Sequence, residues 1–141
     1  MRVKYVFGTT DVKRYQFPTH RNDLVMDRRE AANSEVFVVI LEPGQAPPLH
    51  KHNDTEQIFY ILEGKGDLII EDKRYPVNPG DVVRIPPSTY HSIQASGDGD
   101  LRYLAIDCFI THQLAEEQTW DDHVKVMCQE HGWDYEMVVG K

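Results

Sequence analysis

Two histidines separated by one residue, His50 and His52, are the side chains of this sequence best suited to hold a metal ion. Side chains at positions i and i+2 of an extended segment point to the same face, so the two imidazoles can converge on one point. An oxygen ligand can follow from Glu56 or Gln57, and a third nitrogen from His91, which is distant in sequence. Such a set favours a divalent transition metal over calcium or magnesium, which prefer oxygen ligands. A coordination position left open would make the site catalytic or ligand-binding.

The composition excludes several classes of protein. The chain has 141 residues, of which 40% are hydrophobic and 27% charged, and this length favours one domain with a core large enough to fold without disulfides. Cys108 and Cys128 are therefore predicted to be reduced thiols. The net charge of −8 argues against nonspecific nucleic-acid binding and, more weakly, against an anionic membrane surface as partner. The sequence has no apolar stretch of membrane-spanning length and no signal-peptide pattern in residues 1–7, which predicts a cytoplasmic location.

Short apolar runs separated by turn residues fill residues 35–110. Asn78–Asp81 reads Asn-Pro-Gly-Asp, which places proline and glycine as a type II turn requires. Many short strands with frequent turns indicate an all-β sandwich or barrel. The predicted strands are Val36–Leu41, Gln57–Leu62, Asp67–Ile70, Val82–Ile85, His91–Gln94 and Leu101–Phe109.

The two ends of the chain carry different patterns. Residues 1–34 are predicted to form an N-terminal arm that packs on the barrel, with short strands at Val3–Phe7 and Asp23–Met26 and a helical turn or exposed loop at 27–33. Residues 111–141 predict one amphipathic helix on the outside of the barrel, followed by a tail. Thr119 is its expected N-cap and Gly132 its expected end. The residues at helical spacing are Trp120, Val124, Met127 and Cys128.

Two stretches of the chain resemble the motifs of the cupin superfamily. Residues 44–64 are similar to the first motif, with Gly44, the pair His50 and His52, Gln57 where glutamate is usual, and Gly64. Residues 80–95 are similar to the second motif. Its matching positions are Gly80, Pro86 and His91, while Ser88 replaces the motif glycine and Ala95 stands where asparagine is usual.

This resemblance to small single-domain cupins implies a double-stranded β-helix, or jelly-roll barrel, of six to eight strands. It also implies one divalent transition metal inside the barrel: iron, manganese, nickel, zinc or copper. The metal would be held by His50, His52, His91 and an oxygen ligand. A homodimer is likewise implied, and its sequence support is the nearly continuous apolar run Val36–Leu41 together with the N-terminal arm.

Gln57 and Glu56 are the alternatives for the oxygen ligand. Both satisfy the gap after His52, but the count back from Gly64 favours Gln57. Adjacent residues of an extended run face opposite ways, so one of the two looks inward. An amide would leave the metal its full dipositive charge and favour anionic, oxygen-rich ligands. A carboxylate would remove one unit of that charge.

A cupin fold hosts many chemistries, so the function is argued from the expected pocket. We predict a small metalloenzyme of dioxygenase or sugar/keto-acid isomerase type that acts on an anionic small molecule; the alternative is a non-catalytic binding or sensor barrel. Glu56 is the candidate catalytic base if it faces inward and is not a ligand. Arg84 is a substrate anchor if inward and an exposed strand cation if outward. The predicted apolar lining is Phe59, Ile61, Ile93 and Ile106, and the predicted ordinary surface or helix histidines are His20, His112, His123 and His131.

Overall fold

A computed structural model describes residues 3–111 and 116–140 of the chain. Within these residues nine strands form two antiparallel sheets, which confirms the all-β prediction. The larger sheet has the order β1-β2-β3-β9-β4-β7 and the smaller β6-β5-β8. The strands are β1 (Lys13–Gln16), β2 (Arg21–Met26), β3 (Ser34–Leu41), β4 (Thr55–Glu63), β5 (Gly66–Ile70), β6 (Lys73–Val77), β7 (Val82–Ile85), β8 (His91–Ala95) and β9 (Leu101–Phe109).

β9 is the middle of the larger sheet, where it pairs with β3 on one side and β4 on the other. Its side chains alternate strictly between buried and half-buried, as the period of two of a strand requires. The buried row runs from Leu101 through Tyr103, Ala105 and Asp107 to Phe109. This row forms one wall of the barrel interior, and a carboxylate stands in it among apolar neighbours.

The position of β3 in the sheet explains why its sequence is almost continuously apolar. It lies between β2 and β9, and both of its faces are buried, including Val38 at 1% exposure and Ile40 at 8%. The run Val36–Leu41 is therefore accounted for within this chain and gives no support to a subunit interface.

In the N-terminal region one predicted strand is absent, and two strands, β1 and β2, extend the larger sheet. Val3–Phe7 is not a strand, because its side chains are mostly exposed and it has no sheet partner among the described residues. Lys13–Gln16 instead pairs with Arg21–Met26, and this hairpin adds to the edge of β3. Of the two alternatives for residues 27–33, the structure has the helical turn: a short 3-10 helix spans Arg28–Glu30, and the Asp27 side chain caps it.

Helix α1 (Trp120–His131) begins and ends at the predicted residues. Thr119 Oγ1 accepts a hydrogen bond from the backbone N–H of Asp122 at 3.1 Å, and the Asp122 carboxylate accepts one from the Thr119 backbone N–H at 3.2 Å. This reciprocal pair satisfies N–H groups that lack a partner inside the helix. Gly132 ends the helix at φ 70°, in the left-handed conformation that glycine adopts without strain.

The position of α1 corrects the expectation that it packs on the outside of the barrel. The Trp120 ring stacks on Phe37 from the inner face of β3 at a centroid distance of 4.6 Å. The helix therefore forms part of the wall of the barrel interior and is called the roof below. A second short helix, α2 (Tyr135–Val138), follows it. Neither helix is long and apolar enough to cross a membrane, and the described residues contain no other α-helix.

Candidate metal and ligand site

Three histidines from two separate parts of the chain converge inside the barrel. One ring nitrogen from each of His50, His52 and His91 lies within 4.8 Å of the others. The backbone brings them together, because His50 and His91 exchange two N–H···O bonds of 3.1 and 2.8 Å. The loop before β4 and the start of β8 are thereby fixed to each other.

The hydrogen bonds of these rings leave nitrogen lone pairs available. His50 Nδ1 lies 2.6 Å from the Pro48 carbonyl oxygen, and His91 Nδ1 lies 2.9 Å from that of Thr89. Carbonyls only accept, so each Nδ1 carries the proton and each Nε2 has a free lone pair. His91 Nε2 is buried and has no hydrogen-bond partner in the described part of the chain. A buried polar atom without a partner is costly, and a metal ion would remove that cost.

The three imidazoles are neutral at neutral pH. Burial, together with the neighbouring histidines, lowers the pKa of His52 to about 2 and that of His91 to about 4. Burial also lowers the pKa of His50. Neutral imidazole is the form that coordinates a metal.

Gln57 faces the same cavity from β4 and is 6% exposed. Its amide nitrogen donates to Asp107 Oδ1 at 2.7 Å. Its amide oxygen is buried and has no hydrogen-bond partner among residues 3–111 and 116–140. The side chain thus has one end anchored and an oxygen free. The donor set of three neutral nitrogens and one amide oxygen fits a divalent transition metal.

Gln57 belongs to a row of polar and charged side chains that crosses three strands. The strand register places Glu35, Asp107 and Gln57 directly beside one another on β3, β9 and β4. Arg28 binds the Glu35 carboxylate through two nitrogens at 2.7 and 3.0 Å, and both side chains are almost fully buried. Burial and the hydrogen bond to Asp107 raise the pKa of Glu35 to about 9, against the opposing effect of Arg28. The raised pKa favours the protonated form of Glu35, which can donate a hydrogen bond to Asp107.

Glu56 and Arg84 face away from the cavity. Arg84 Nε binds Glu56 Oε2 at 2.7 Å, and 66% of the Arg84 side chain is exposed. Arg84 is therefore an exposed strand cation and not an anchor inside the pocket. The condition set for Glu56 as a base, that it faces inward, is not met, because Gln57 occupies the inward position beside it.

The cavity around the histidines has a volume of about 500 Å³. Of the four apolar residues predicted to line a substrate pocket, Phe59 and Ile93 line this cavity and Ile61 and Ile106 do not. Ile61 is buried in the core beyond the cavity, and Ile106 lies on the outward-facing row of β9. The aromatic lining is Phe37, Phe59, Tyr103, Phe109, Trp120 and Trp133.

Three further histidines line the cavity: His123 and His131 lie on α1, in line with their assignment as helix residues, whereas His20 is buried, which corrects its assignment. His112 lies outside the described residues. His20 stacks on Phe17 at a centroid distance of 4.7 Å, and burial lowers its pKa to about 3. His123 Nδ1 lies 2.5 Å from Glu117 Oε1, and its ring centroid is 6.4 Å from that of His52. The hydrogen bond to His123 lowers the pKa of Glu117.

Signals for the missed residues were present in the sequence. His123 follows Trp120 by three positions, so helical spacing places it on the face that Trp120 buries. Asp107 interrupts the inward row of β9 at a position where alternation demands an apolar residue. A carboxylate at such a position needs a buried partner, and this requirement marks it as part of a polar site.

Comparisons with known proteins give the same picture of fold and family. Residues 37–107 match the cupin domain family. The chain is 39% identical to the oxalate-binding protein of Thermotoga maritima over 66 residues, which are 47% of this chain and 54% of that relative. It is 29% identical to a 5-nitrosalicylic acid 1,2-dioxygenase of Bradyrhizobium sp over 101 residues, which are 67% of this chain and 48% of the relative. The chain spans about half the length of the curated relatives it matches.

The solved structures agree on the architecture. The crystal structure described as a predicted oxalate decarboxylase from Thermotoga maritima superposes with a TM-score of 0.68 at 24% identity, covering 74% of this chain and 99% of that one. At this identity the likeness shows the fold, a double-stranded β-helix. With the family match across half of its length, this chain belongs to the cupin family.

Proposed function

We propose that this protein is a metal-dependent cupin of the dioxygenase type, which acts on a small, anionic, oxygen-rich aromatic molecule. His50, His52, His91 and Gln57 would hold one divalent transition metal, with iron, manganese, nickel, zinc and copper as the candidates. The observation that carries the proposal is that two of the four buried side-chain atoms without a hydrogen-bond partner in the described part of the chain, His91 Nε2 and Gln57 Oε1, lie in a cavity that also contains the other two histidines.

The charge of this donor set supports an anionic ligand. Three neutral imidazoles and a neutral amide leave the cation its dipositive charge inside a barrel of low dielectric constant, where attraction to an anion is strong. Arg28 offsets the charge of the carboxyl pair beneath Gln57. An enolate, a hydroxy acid or a carboxylate therefore suits the site best.

The walls support an aromatic ligand. Within the described residues, six phenylalanine, tyrosine and tryptophan side chains line the cavity, and its volume of about 500 Å³ lies within the range of small-molecule sites. Aromatic rings favour edge-to-face or offset contacts with a planar ligand. The dioxygenase relative acts, by its name, on a nitrosalicylic acid, a molecule of this class.

His123 is suited to move a proton. Glu117 binds its Nδ1 and orients the ring, and the ring lies beside His52 in the cavity wall. A histidine held in this way can accept the proton of a ligand hydroxyl, so that the ligand binds as an anion. The metal, when bound, would supply Lewis-acid and redox chemistry.

The first test is the metal content of the purified protein, by elemental analysis without added metal. We expect His91→Ala and His50→Ala to reduce bound metal to well below one equivalent while the barrel stays folded by circular dichroism, because each removes one nitrogen ligand. Glu56→Ala is the matched control, since it removes a polar side chain from the outer face of the strand that carries Gln57. Unchanged metal content in both histidine variants would rule out the site.

The second candidate is a non-catalytic binding barrel, favoured by the likeness to an oxalate-binding protein. Oxygen consumption by the iron-loaded protein with salicylate as probe separates the two functions. Consumption that His91→Ala abolishes supports the dioxygenase. Binding of salicylate or oxalate without consumption of oxygen supports the binding barrel.

A homodimer and a cytoplasmic location stay proposals. Support for the dimer comes from the outer face of β4 and β7, where Tyr60, Leu62 and Val82 are 45%, 42% and 66% exposed. Tyr60 and Val82 are direct cross-strand neighbours, so they form one apolar surface. Light scattering of the intact chain and of Val82→Lys measures the expected loss of the dimer.

A further inference from the structure

We propose that Asp107 is a positioning residue that determines which atom of Gln57 faces the metal site. The inference rests on the proposed function in one respect, that residue 57 supplies the oxygen ligand. It adds a residue outside both cupin motifs and a reason for the amide at position 57.

The Gln57 amide could adopt two orientations in the same space. The oxygen and the nitrogen of a glutamine amide have nearly the same size, so packing alone does not choose between its two orientations. Asp107 lies directly across the β4–β9 ladder and accepts a hydrogen bond of 2.7 Å from Gln57 Nε2. The reversed amide would bring its oxygen against a carboxylate and turn two N–H donors toward the metal site. Asp107 therefore keeps the oxygen on the cavity side.

The orientation of Asp107 is fixed in turn by its other neighbour. Glu35 stands opposite Asp107 on β3 and is hydrogen-bonded to it, and Arg28 grips Glu35 with two nitrogens. All three side chains are at least nine-tenths buried. A buried network in which every member has a partner is rigid, and residues that orient a ligand in this way tune metal affinity.

The same contact explains why an amide replaces the glutamate of the motif. A glutamate at position 57 would place two carboxylates at hydrogen-bond distance in a buried site, and the pair would have to share a proton or lie apart. Asp107 and the glutamine therefore belong together. The structure assigns them as a matched pair in which one side must donate and the other accept.

The test is a set of exchanges within the pair, with Zn²⁺ alone as the probe and a chromophoric chelator as competitor. We expect Gln57→Glu to weaken Zn²⁺ binding about tenfold or more, the usual effect of disturbing a neighbour of a metal ligand. Asp107→Asn added to Gln57→Glu should restore binding, because the asparagine amide can donate to the new carboxylate. Asp107→Asn alone should bind Zn²⁺ nearly as the parent does, because its oxygen still accepts from Gln57.

Asp107→Leu removes the acceptor and should weaken Zn²⁺ binding, but not in a chain that already carries Gln57→Ala. A purely structural role would weaken binding in both backgrounds. The absorption spectrum of bound Co²⁺ gives a second readout, since it should change with Asp107→Leu and stay unchanged with Asp107→Asn. If Asp107→Leu does not fold, the glutamate and asparagine exchanges still decide the matter.

Equal Zn²⁺ affinity of Gln57→Glu with and without Asp107→Asn overturns the inference. His91→Ala, measured alongside, tells this failure from that of the proposed function. If His91→Ala loses Zn²⁺ while the pair shows no coupling, the metal site stands and the role of Asp107 is wrong. If His91→Ala binds Zn²⁺ like the parent, the metal site itself is wrong.

Discussion

The core segment, residues 37–107, and the two segments that flank it contribute different side chains to one cavity. The core supplies His50, His52, His91 and Gln57, whose free atoms point to metal binding. The flanks supply further lining side chains: His20 just before β2, Asn22 on β2, and Trp120 and His123 from the roof helix α1. The residues that match the family, 37–107, include none of these flanking side chains.

This division indicates which part of the molecule determines which property. The proposed metal ligands lie in the core that matches the family, and they determine the class of metal. Side chains outside that core shape the space that a small molecule would fill. Changes to the four proposed ligands should therefore alter metal binding. Changes to flanking side chains other than Arg28 and Glu35, which hold Asp107 in place, should alter stability or ligand preference and leave the metal in place.

The largest expected effect is the pH dependence of the metal-free protein. His52 and His91 of the core and His20 of the flank have pKa values of about 2, 4 and 3 in the folded chain, below the ordinary value of 6.5, because burial disfavours the charged form. Below about pH 6.5 the unfolded chain takes up protons that the folded chain does not. The free energy of unfolding therefore decreases as the pH is lowered. From about pH 7 to about pH 5 each histidine accounts for a loss of about 2 kcal/mol.

Urea unfolding in the presence of a chelator measures this loss. His20→Leu should make the dependence shallower by the share of one histidine, which separates the flank from the core. A free energy of unfolding that is constant over this pH range would show that the buried histidines titrate normally.

The next largest effect is expected for Trp120→Ala in the roof. Trp120 is 2% exposed and stacks on Phe37, so its truncation should destabilise the protein by about 3–5 kcal/mol. Zn²⁺ bound per folded molecule should stay at the parent level, because none of the proposed ligands lies on α1. Denaturant unfolding and elemental analysis together check both parts. Loss of metal from the folded variant would break the division between core and flank.

The smallest effect is expected for Arg84→Ala, inside the core but on its outer face. The ion pair with Glu56 is exposed to solvent, so its loss should cost less than about 1 kcal/mol. Zn²⁺ affinity and binding of salicylate should not change. A clear loss of anionic ligand affinity would mean that the guanidinium reaches the cavity after all.

Much of this arrangement could be predicted from local pattern. Strand alternation and turn residues gave β3 to β5 and β7 to β9 within two residues at each end, and the caps gave both ends of α1. β6 was missed because four of its five residues are exposed and include two charged residues and a proline, so it carries no apolar alternation. The strand of the N-terminal arm was placed at Val3–Phe7 because its sequence is apolar, but the actual strand Lys13–Gln16 buries a single side chain, Tyr15.

The missing part of the site depends on contacts between distant strands. The histidine cluster was predicted because two motifs fixed its spacing. The row of Glu35, Asp107 and Gln57 depends on the register of three strands that are distant in sequence, and no local pattern encodes a register. The same holds for His20, whose burial depends on Phe17 and Trp133 from opposite ends of the chain.

Hydrogen bonds of Asp27 and Arg28 connect the start of helix α1 to strand β3 of the barrel. Asp27 Oδ1 accepts from the Trp120 backbone N–H at 3.0 Å, and Arg28 donates to the Glu117 carbonyl at 3.0 Å while it grips Glu35. The Arg28 guanidinium thus contacts both the segment that leads into α1 and the Glu35 carboxyl beside Asp107. Any displacement of that segment from the barrel would remove one hydrogen bond from the side chain that holds Glu35 in place.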